Sequence, residues 1–193
     1  MLIENQTANN PIIKWASEQA ASFLPPLEDR WLHVQGVVKQ AQRVSKMFDE
    51  NDQAYLIASA YLHDIGYAPS IKKTGFHPLD GAYYLQSNGQ GRLASLVAYH
   101  SEAQFEAKLR GLLTELEKFP REHSAVADTL TYCDMTTSPT GQRVTLEERI
   151  ADILKRYGEA SIVTQALRQA MPLWETDIKR TEQKLRKHGF INS

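Results

Sequence analysis

The stretch from Ala54 to Ala60 constrains the fold more than any other part of the chain, because it is apolar on nearly every side. A helix without a polar face is a buried helix. This one ends in His63 and Asp64, and Gly66 follows as a residue suited to the left-handed turn that closes a helix. A carboxylate buried without a partner is costly, so Asp64 needs a cation or several hydrogen-bond donors. The adjacent imidazole favours a metal ion, and the alternative is a pair that only caps the helix.

The rest of the chain predicts an all-α fold. Apolar residues recur at spacings of three and four, and no alternating run is long enough for a strand. With 193 residues, of which 42% are hydrophobic, the chain is long enough for one domain with a substantial core. We therefore expect a single-domain helical bundle.

The predicted helices differ in how their ends are marked. Asp52 is a candidate cap for the buried helix, Thr145 with Glu148 forms a capping box, and Pro172 predicts a break in the last helix. His77 is expected at the start of a helix, because Pro78 suits the first turn. The predicted segments are 11–23, 27–48, about 52–64, 77–88, a helix ending near His100, 103–117, 121–134, 146–157 and 161–188.

Composition and charge exclude several classes of partner. The net charge of −1 offers no basic field for a nucleic acid polymer. No apolar run reaches the roughly 18 residues that a membrane-spanning helix needs, and the first residues lack the pattern of a signal peptide. Cys133 is the single cysteine, so no internal disulfide is possible. We expect a cytoplasmic protein that binds neither membrane nor nucleic acid.

Six side chains with nitrogen or oxygen ligands fall at core-facing or helix-end positions. Donors of this kind without thiolates suit iron, manganese, zinc, cobalt or magnesium. Six are more than one tetrahedral zinc needs, and they suit either two metals bridged by a carboxylate or one metal whose ligands have further partners. The alternatives are core histidines or a helix cap. The six residues are His33, His63, Asp64, His77, His100 and Asp134.

Three segments of the sequence resemble those of a known family. They are RWLHVQGV at 30–37, AYLHDIG at 60–66 and HPLDGA at 77–82. The chain resembles the HD-domain superfamily of metal-dependent phosphohydrolases, whose H…HD…D pattern is matched by His33, His63 with Asp64, and Asp134. The resemblance covers residues 27 to about 135. It implies one HD-like domain over 1–193, with C-terminal helices at about 145–188.

The resemblance also implies a cofactor and roles for individual residues. His33, His63, Asp64 and Asp134 would hold a first metal, and His77 and His100 would hold a second that shares Asp64. Two divalent ions per chain are expected: iron or manganese, with zinc, cobalt, nickel and magnesium as alternatives. The reaction would be hydrolysis of a small phosphorylated substrate, such as a nucleotide, by metal-activated water. The implied catalytic residues are Asp64 and Arg30, with Lys72 and Lys73, and more weakly Arg143 and Arg149, as substrate-binding candidates.

Departures from the family pattern make some of the family's activities less expected for this chain. No Gly-Tyr-Pro follows His100, and no acidic residue lies between Ile65 and Thr74, so hydrolases of cyclic di-GMP and of guanosine tetraphosphate are not expected. The length and the Arg-x-x-His opening are similar to members that hydrolyse nucleotides such as diadenosine tetraphosphate. One alternative is an HD-type diiron oxygenase, although such members place a lysine soon after the last histidine, where this chain has Ser101. The other is a non-catalytic metal-bound sensor module. The sequence predicts no oligomeric state.

Overall fold

The chain folds into α-helices, which confirms the predicted all-α class. The computed structural model describes residues 10–190. Within that range there are ten α-helices and no strand, apart from an isolated bridge between Thr137 and Arg143. None of these helices is both long and apolar enough to cross a membrane. The helices are α1 (Pro11–Phe23), α2 (Asp29–Val44), α3 (Glu50–Leu62), α4 (His77–Ser87), α5 (Gly91–Tyr99), α6 (Gln104–Leu109), α7 (Leu113–Leu116), α8 (Ala125–Met135), α9 (Leu146–Tyr157) and α10 (Ile162–Lys187).

Helix α3 lies at the centre of the bundle, as its apolar surface predicts. Every side chain from Leu56 to Ala60 is at most 1% exposed. The helix packs against α1, α2, α5 and α8, so its C-terminal end, with His63 and Asp64, is surrounded by other helices. The surroundings of α3 therefore place an imidazole and a carboxylate deep inside the protein.

The cap of α3 differs from the prediction. Asp49, not Asp52, accepts a hydrogen bond at the helix start, from the backbone N–H of Asp52 at 2.9 Å. Asp49 has the extended backbone of a capping residue, whereas Asp52 already lies within the first turn. The Asp52 carboxylate instead pairs with Arg92 at 2.8 Å. The prediction that Asp52 caps the helix is therefore wrong.

Gly66 is needed for a different reason from the one predicted. It is not among the glycines with positive φ, and it lies in a short 3-10 turn, Ile65–Tyr67. A β-carbon on Gly66 would lie 2.1 Å from the carbonyl oxygen of His77 and 2.7 Å from the backbone nitrogen of Gly81. The absence of a side chain thus lets the end of α3 contact the start of α4, which places His77 beside Asp64.

Other predicted boundaries also change. Helix α10 continues through Pro172 without a break. Pro172 and Arg168 are both exposed, so water can satisfy the carbonyl that lacks an N–H partner.

The segment predicted as one helix at 103–117 is two short helices, separated at Gly111, whose φ is +71°. Helix α2 is shorter than predicted, with 3-10 turns at both ends, and α8 starts at Ala125 after its Ser124 cap. The capping box of Thr145 and Glu148 is confirmed.

The loop at 136–141 packs directly on α2. A β-carbon on Gly36 would lie 2.5 Å from the Cα atom of Gly141, and one on Gly141 would lie 2.5 Å from the carbonyl oxygen of Leu32. The amide of Gln40 donates to the carbonyl of Thr136 at 2.9 Å and to the Thr137 hydroxyl at 2.8 Å. Contact between the two backbones therefore fixes the loop against the helix.

We expect Gly36→Ala to destabilise the protein by about 2–3 kcal/mol, because neither backbone can retreat without disturbing the core. Chemical denaturation of the wild type and the variant measures this difference in the free energy of unfolding. Gly91→Ala is the matched control, since a β-carbon there would meet no atom within 4 Å. It should be neutral or stabilising by up to about 1 kcal/mol. Equal stability of the two variants would contradict the close approach at Gly36.

A second expectation concerns the pH dependence of stability. Burial, together with the nearby carboxylates of Asp128 and Glu102, raises the pKa of Asp177 to about 7, against the opposing effect of Arg180 and Arg121. A carboxyl whose pKa is raised on folding stabilises the fold at low pH, and this contribution disappears as the pH rises through 7. We therefore expect Asp177→Asn to stabilise the protein at pH 8 by about 1 kcal/mol after solvent screening.

The same substitution should have no stabilising effect at pH 4.5, where the Asp177 carboxyl is protonated in the folded chain. Thermal melting of both proteins across this pH range measures the difference. A gain in stability that is equal at both pH values would contradict the raised pKa.

Candidate metal centre

The structure brings the six predicted ligand residues together at one point of the bundle. His33 belongs to α2, His63 and Asp64 end α3, His77 begins α4, His100 follows α5, and Asp134 lies in the last turn of α8. Five of them are at most 7% exposed, and the side chain of His77 is 18% exposed. Their convergence from five segments separated in sequence agrees with the prediction of one shared site. Metal binding by these residues stays a prediction.

Asp64 lies at the centre of the cluster. Its Oδ1 is 3.2 Å from Nε2 of His77, and its Oδ2 is 3.4 Å from Nε2 of His63 and 4.0 Å from Nε2 of His33. Two groups of three residues share this carboxylate: Asp64 with His33 and His63, and Asp64 with His77 and His100. In each group the candidate ligand atoms lie within 4.8 Å of one another. The geometry thus offers two adjacent groups that could each hold an ion and that share one carboxylate.

Three of the histidines have their outer ring nitrogen tied to the backbone. Nδ1 of His33 lies 3.1 Å from the carbonyl of Ser138, Nδ1 of His63 lies 2.9 Å from that of Ala60, and Nδ1 of His100 lies 2.6 Å from that of Val97. A carbonyl can only accept a hydrogen bond, so each of these Nδ1 atoms is the donor. Their Nε2 lone pairs then face the cluster, which is the arrangement of a metal-ligating histidine.

Two observations test whether these residues fit a cation. Nε2 of His63 is buried and has no hydrogen-bond partner within residues 10–190. Nε2 of His33 lies 3.0 Å from Oδ1 of Asp134, and with the proton on Nδ1 both atoms present lone pairs to each other. A buried lone pair without a donor is costly, and a metal ion would satisfy both. The residues therefore fit a metal centre.

Burial and neighbouring charges set the protonation of the cluster. Although burial raises it, Arg30 and the neighbouring histidines lower the pKa of Asp64 well below its usual value. Burial also raises the pKa of Asp134, but the adjacent His33 ring, with His63 and Arg149 nearby, lowers it well below its usual value. Burial lowers the pKa of His77 and His100. Ionised carboxylates with neutral imidazoles are the charge state that binds a divalent cation.

Arg30 is held over the cluster by an aromatic side chain that sequence reasoning missed. Its Nη1 donates to Oδ2 of Asp64 at 2.8 Å, and its guanidinium lies 4.1 Å from the centroid of the Tyr67 ring. The Tyr67 ring in turn stacks on the His77 ring, with centroids 4.0 Å apart. Burial raises the pKa of Tyr67, so the phenol stays protonated. Sequence spacing gave no signal for this stack, since it joins three separate segments.

The turn after His100 has an unusual backbone. Ser101 has φ +50° and Glu102 has φ +59°, which are left-handed values that non-glycine residues seldom adopt. The turn places the Ser101 hydroxyl where it donates to Asp134, and it buries Glu102 against Arg121, with an ion pair of 2.7 Å. These contacts hold a strained turn beside the cluster, as is common at functional sites.

The linker before His77 is organised by a buried carboxylate that the sequence did not single out. Asp80 accepts hydrogen bonds from the backbone N–H and the hydroxyl of Thr74, both at 2.8 Å, and from the N–H of Gly75 at 3.0 Å. Asp80 lies in the first turn of α4, so these bonds fold the linker back onto the helix start. They fix the direction in which His77 enters the site.

A cavity of about 230 Å³ opens beside the cluster. Its wall includes Arg30, Asp64 and Asp134, and also residues of α9 and α10 such as Arg149. Arg149 was a weak candidate from the sequence, and the structure buries it to 6% exposure in this wall.

The other predicted cations lie elsewhere. Lys72 and Lys73 are exposed and do not line the cavity. Arg143 is also exposed, near the Tyr132 hydroxyl. A role for Lys72 and Lys73 in substrate binding stays a prediction that no contact of the cavity supports.

The chain matches one family model over most of its length. A family model described as the HD domain matches residues 30–186. The matched range includes all six clustered residues and the helices α9 and most of α10. No curated protein and no solved structure matches the chain.

We expect two metal ions per chain in protein purified without chelator and without oxygen, and about one in His100→Ala, because His100 belongs to only one of the two groups. Mass spectrometry of the metals, normalised to protein concentration, measures both. His188→Ala is the matched control, since this histidine is exposed at the end of α10, and it should keep both ions.

Either of two results would contradict this expectation. One ion in both the wild type and His100→Ala would remove His100 from the ligand set. No ion in the wild type would remove the metal centre altogether.

Proposed function

The chain belongs to the HD-domain family, and we propose that it is a metal-dependent phosphohydrolase that acts on a nucleotide or another small phosphoester. The family consists mostly of metal-dependent hydrolases, and its members bind divalent metals. The observation that supports the proposal most strongly is the position of Asp64, whose carboxylate is common to both groups of ligand atoms. Such paired sites suit displacement reactions at phosphorus.

Each ligand has a place in this proposal. His33, His63 and Asp64, with Asp134 beside them, would hold one ion, and His77 and His100 would hold the second together with Asp64. The nitrogen and oxygen donors suit iron or manganese, and also zinc, cobalt, nickel or magnesium. When bound, the ions lower the pKa of a water molecule and offset negative charge on phosphoryl oxygens.

Arg30 is the side chain best placed to bind the substrate's phosphoryl group. One of its nitrogens donates to Asp64, and its side chain is 23% exposed at the cavity. The remaining N–H groups are therefore available to phosphoryl oxygens, which match the fork of a guanidinium. Stacking on Tyr67 holds the guanidinium in that position.

For a phosphomonoester, the proposed reaction is hydrolysis of the bond between phosphorus and the ester oxygen. The oxygen of water forms a bond to phosphorus, and the bond between phosphorus and the ester oxygen breaks. The ester oxygen takes up a proton and leaves as an alcohol, and orthophosphate is the other product. Arg30 would stabilise the charge that spreads over the phosphoryl oxygens as these bonds change.

No contact favours the oxygenase alternative. Among the described residues, no lysine lines the cavity. The Ser101 hydroxyl, at the position where those family members have lysine, already donates to Asp134. We therefore keep the hydrolase as the proposal and use oxygen uptake to separate the two.

We expect the metal-loaded protein to release orthophosphate from at least one compound in a panel of phosphomonoesters and nucleotides. Arg30→Lys should lower kcat/KM for that compound by about 10- to 100-fold, because it replaces a fork of donors by a single ammonium. Arg43→Lys is the matched control: the same change on the same helix, at an exposed position. It should leave kcat/KM unchanged.

Failure would point to one of the alternatives. Oxygen consumption by the ferrous protein without orthophosphate release would indicate an oxygenase. If neither product forms, and Asp64→Ala lowers only the melting temperature, the site is a metal-bound sensor module.

A further inference from the structure

The cavity beside the metal cluster has two chemically different sides. One side carries the candidate ligands and Arg30. The other side comes from α9 and α10. Beside Arg149, Arg156, Tyr157 and Trp174, it carries an aliphatic surface made of Ile153, Val163, Ala166, Leu167 and Ala170. An organic group that enters this cavity therefore leaves water for an apolar surface.

Arg149 lies in the cavity wall with too few partners for a buried cation. It is 6% exposed, and its closest carboxylate oxygens are those of Asp152 at 3.5 Å and Asp134 at 3.7 Å. Asp152 also makes a shorter ion pair, of 2.7 Å, with Arg156. Nε of Arg149 is buried and has no partner within the described chain. A buried charge needs close hydrogen-bonding partners, and an anion in the cavity would supply them.

Trp174, on α10, is the second incomplete group in the wall. It is 5% exposed, and its indole N–H is buried without an acceptor in the part of the chain that the structure describes. This group can only donate, and a buried donor without a partner costs about 1–3 kcal/mol. A ligand with one hydrogen-bond acceptor against α10 would satisfy it.

The wall offers little that could recognise a nucleobase. Among the described residues that line it there is no Asn, Gln, Thr or Lys. Its Ser101, Glu102 and Glu106 side chains already bond to Asp134, Arg121 and Arg110, and Tyr157 is 39% exposed at the edge. At the rim, Arg110 pairs with Glu106 at 2.7 Å and Arg156 pairs with Asp152, so these charges already have partners. The edge of a base presents several donors and acceptors, and burying them unpaired would be costly.

We propose that the site takes a phosphomonoester whose organic group is compact and apolar and carries one hydrogen-bond acceptor. This inference rests on the proposed phosphohydrolase function and narrows its substrate class away from nucleotides. The phosphoryl group lies between the metal ligands and Arg149, the organic group packs on α9 and α10, and its acceptor receives the N–H of Trp174.

The first test compares KM values for phenyl phosphate, its 3- and 4-acetyl derivatives, and AMP. In the wild type, KM for AMP should be at least tenfold higher than KM for phenyl phosphate. Trp174→Phe keeps an aromatic ring but removes the donor. It should raise KM for at least one acetyl derivative about tenfold more than it raises KM for phenyl phosphate, a difference that loss of folding alone would not produce. Trp15→Phe, on α1 and away from the cavity, is the matched control and should change neither value.

The second test measures binding without turnover. Phenylphosphonate cannot be hydrolysed, and calorimetry should show that it binds the metal-loaded wild type at least tenfold more tightly than methylphosphonate. Arg149→Lys should weaken the binding of both phosphonates about tenfold, whereas the Arg43→Lys control should not. The wild-type comparison needs no variant, so the test stands even where a substitution lowers the melting temperature.

The outcomes separate the two proposals. A lower KM for AMP than for the aryl phosphates would overturn the inference and leave the phosphohydrolase function intact. Equal binding of phenylphosphonate and methylphosphonate would also overturn it. If no phosphoester is hydrolysed but the phosphonates bind as expected, the recognition of a compact anion stands and the hydrolase proposal fails.

Discussion

The burial of the Asp64 carboxylate is the constraint on which the rest of this structure depends. Its side chain is 3% exposed at the end of an apolar helix, where an unpaired charge would be prohibitive. The Arg30 guanidinium pairs with it at 2.8 Å, and the inner nitrogens of His63 and His77 lie 3.4 and 3.2 Å away, where they could bind a cation beside it. Those partners come from three separate segments, so the helices must pack in one particular way for the charge to be tolerated. The need to provide partners for the buried Asp64 carboxylate thus also determines how α2, α3 and α4 pack.

Backbone contacts, more than side-chain packing, set the precision of the cluster. The close approach at Gly66 places the start of α4 beside the end of α3, and that at Gly36 seats the loop whose Ser138 carbonyl faces the His33 ring. Backbone atoms have no rotamers to adjust, so a ring anchored to a carbonyl has little freedom. The anchored rings present their Nε2 atoms in fixed directions, which is what preorganised metal ligation requires.

The parts of this protein that the sequence predicts are those with local signals. Periodicity predicts the helices, and a His-Asp pair at the end of an apolar run predicts the site. The sequence-based predictions fail where tertiary contacts or solvent override a local rule. Gly66 allows a close helix contact instead of forming a left-handed turn. Pro172 stays within α10 because water can satisfy the carbonyl that lacks an N–H partner. The Tyr67 stack and the wall that includes Trp174 could not be predicted, because each depends on segments far apart in the chain.

Three incompletely paired groups lie at the candidate metal centre and in the wall of the neighbouring cavity. Within residues 10–190, Nε2 of His63 lacks a donor at the candidate metal centre, Arg149 lacks close anionic partners, and the Trp174 N–H lacks an acceptor. Each carries a free-energy cost in the folded chain, and each requires a different partner: a cation, an anion and a neutral acceptor. In the proposed complex, a metal ion would satisfy His63, and a phosphorylated ligand would supply the anion for Arg149 and the acceptor for Trp174. A ligand that binds only the folded state adds its binding free energy to stability, so in this proposal the groups that weaken the fold would also be those that select the ligand.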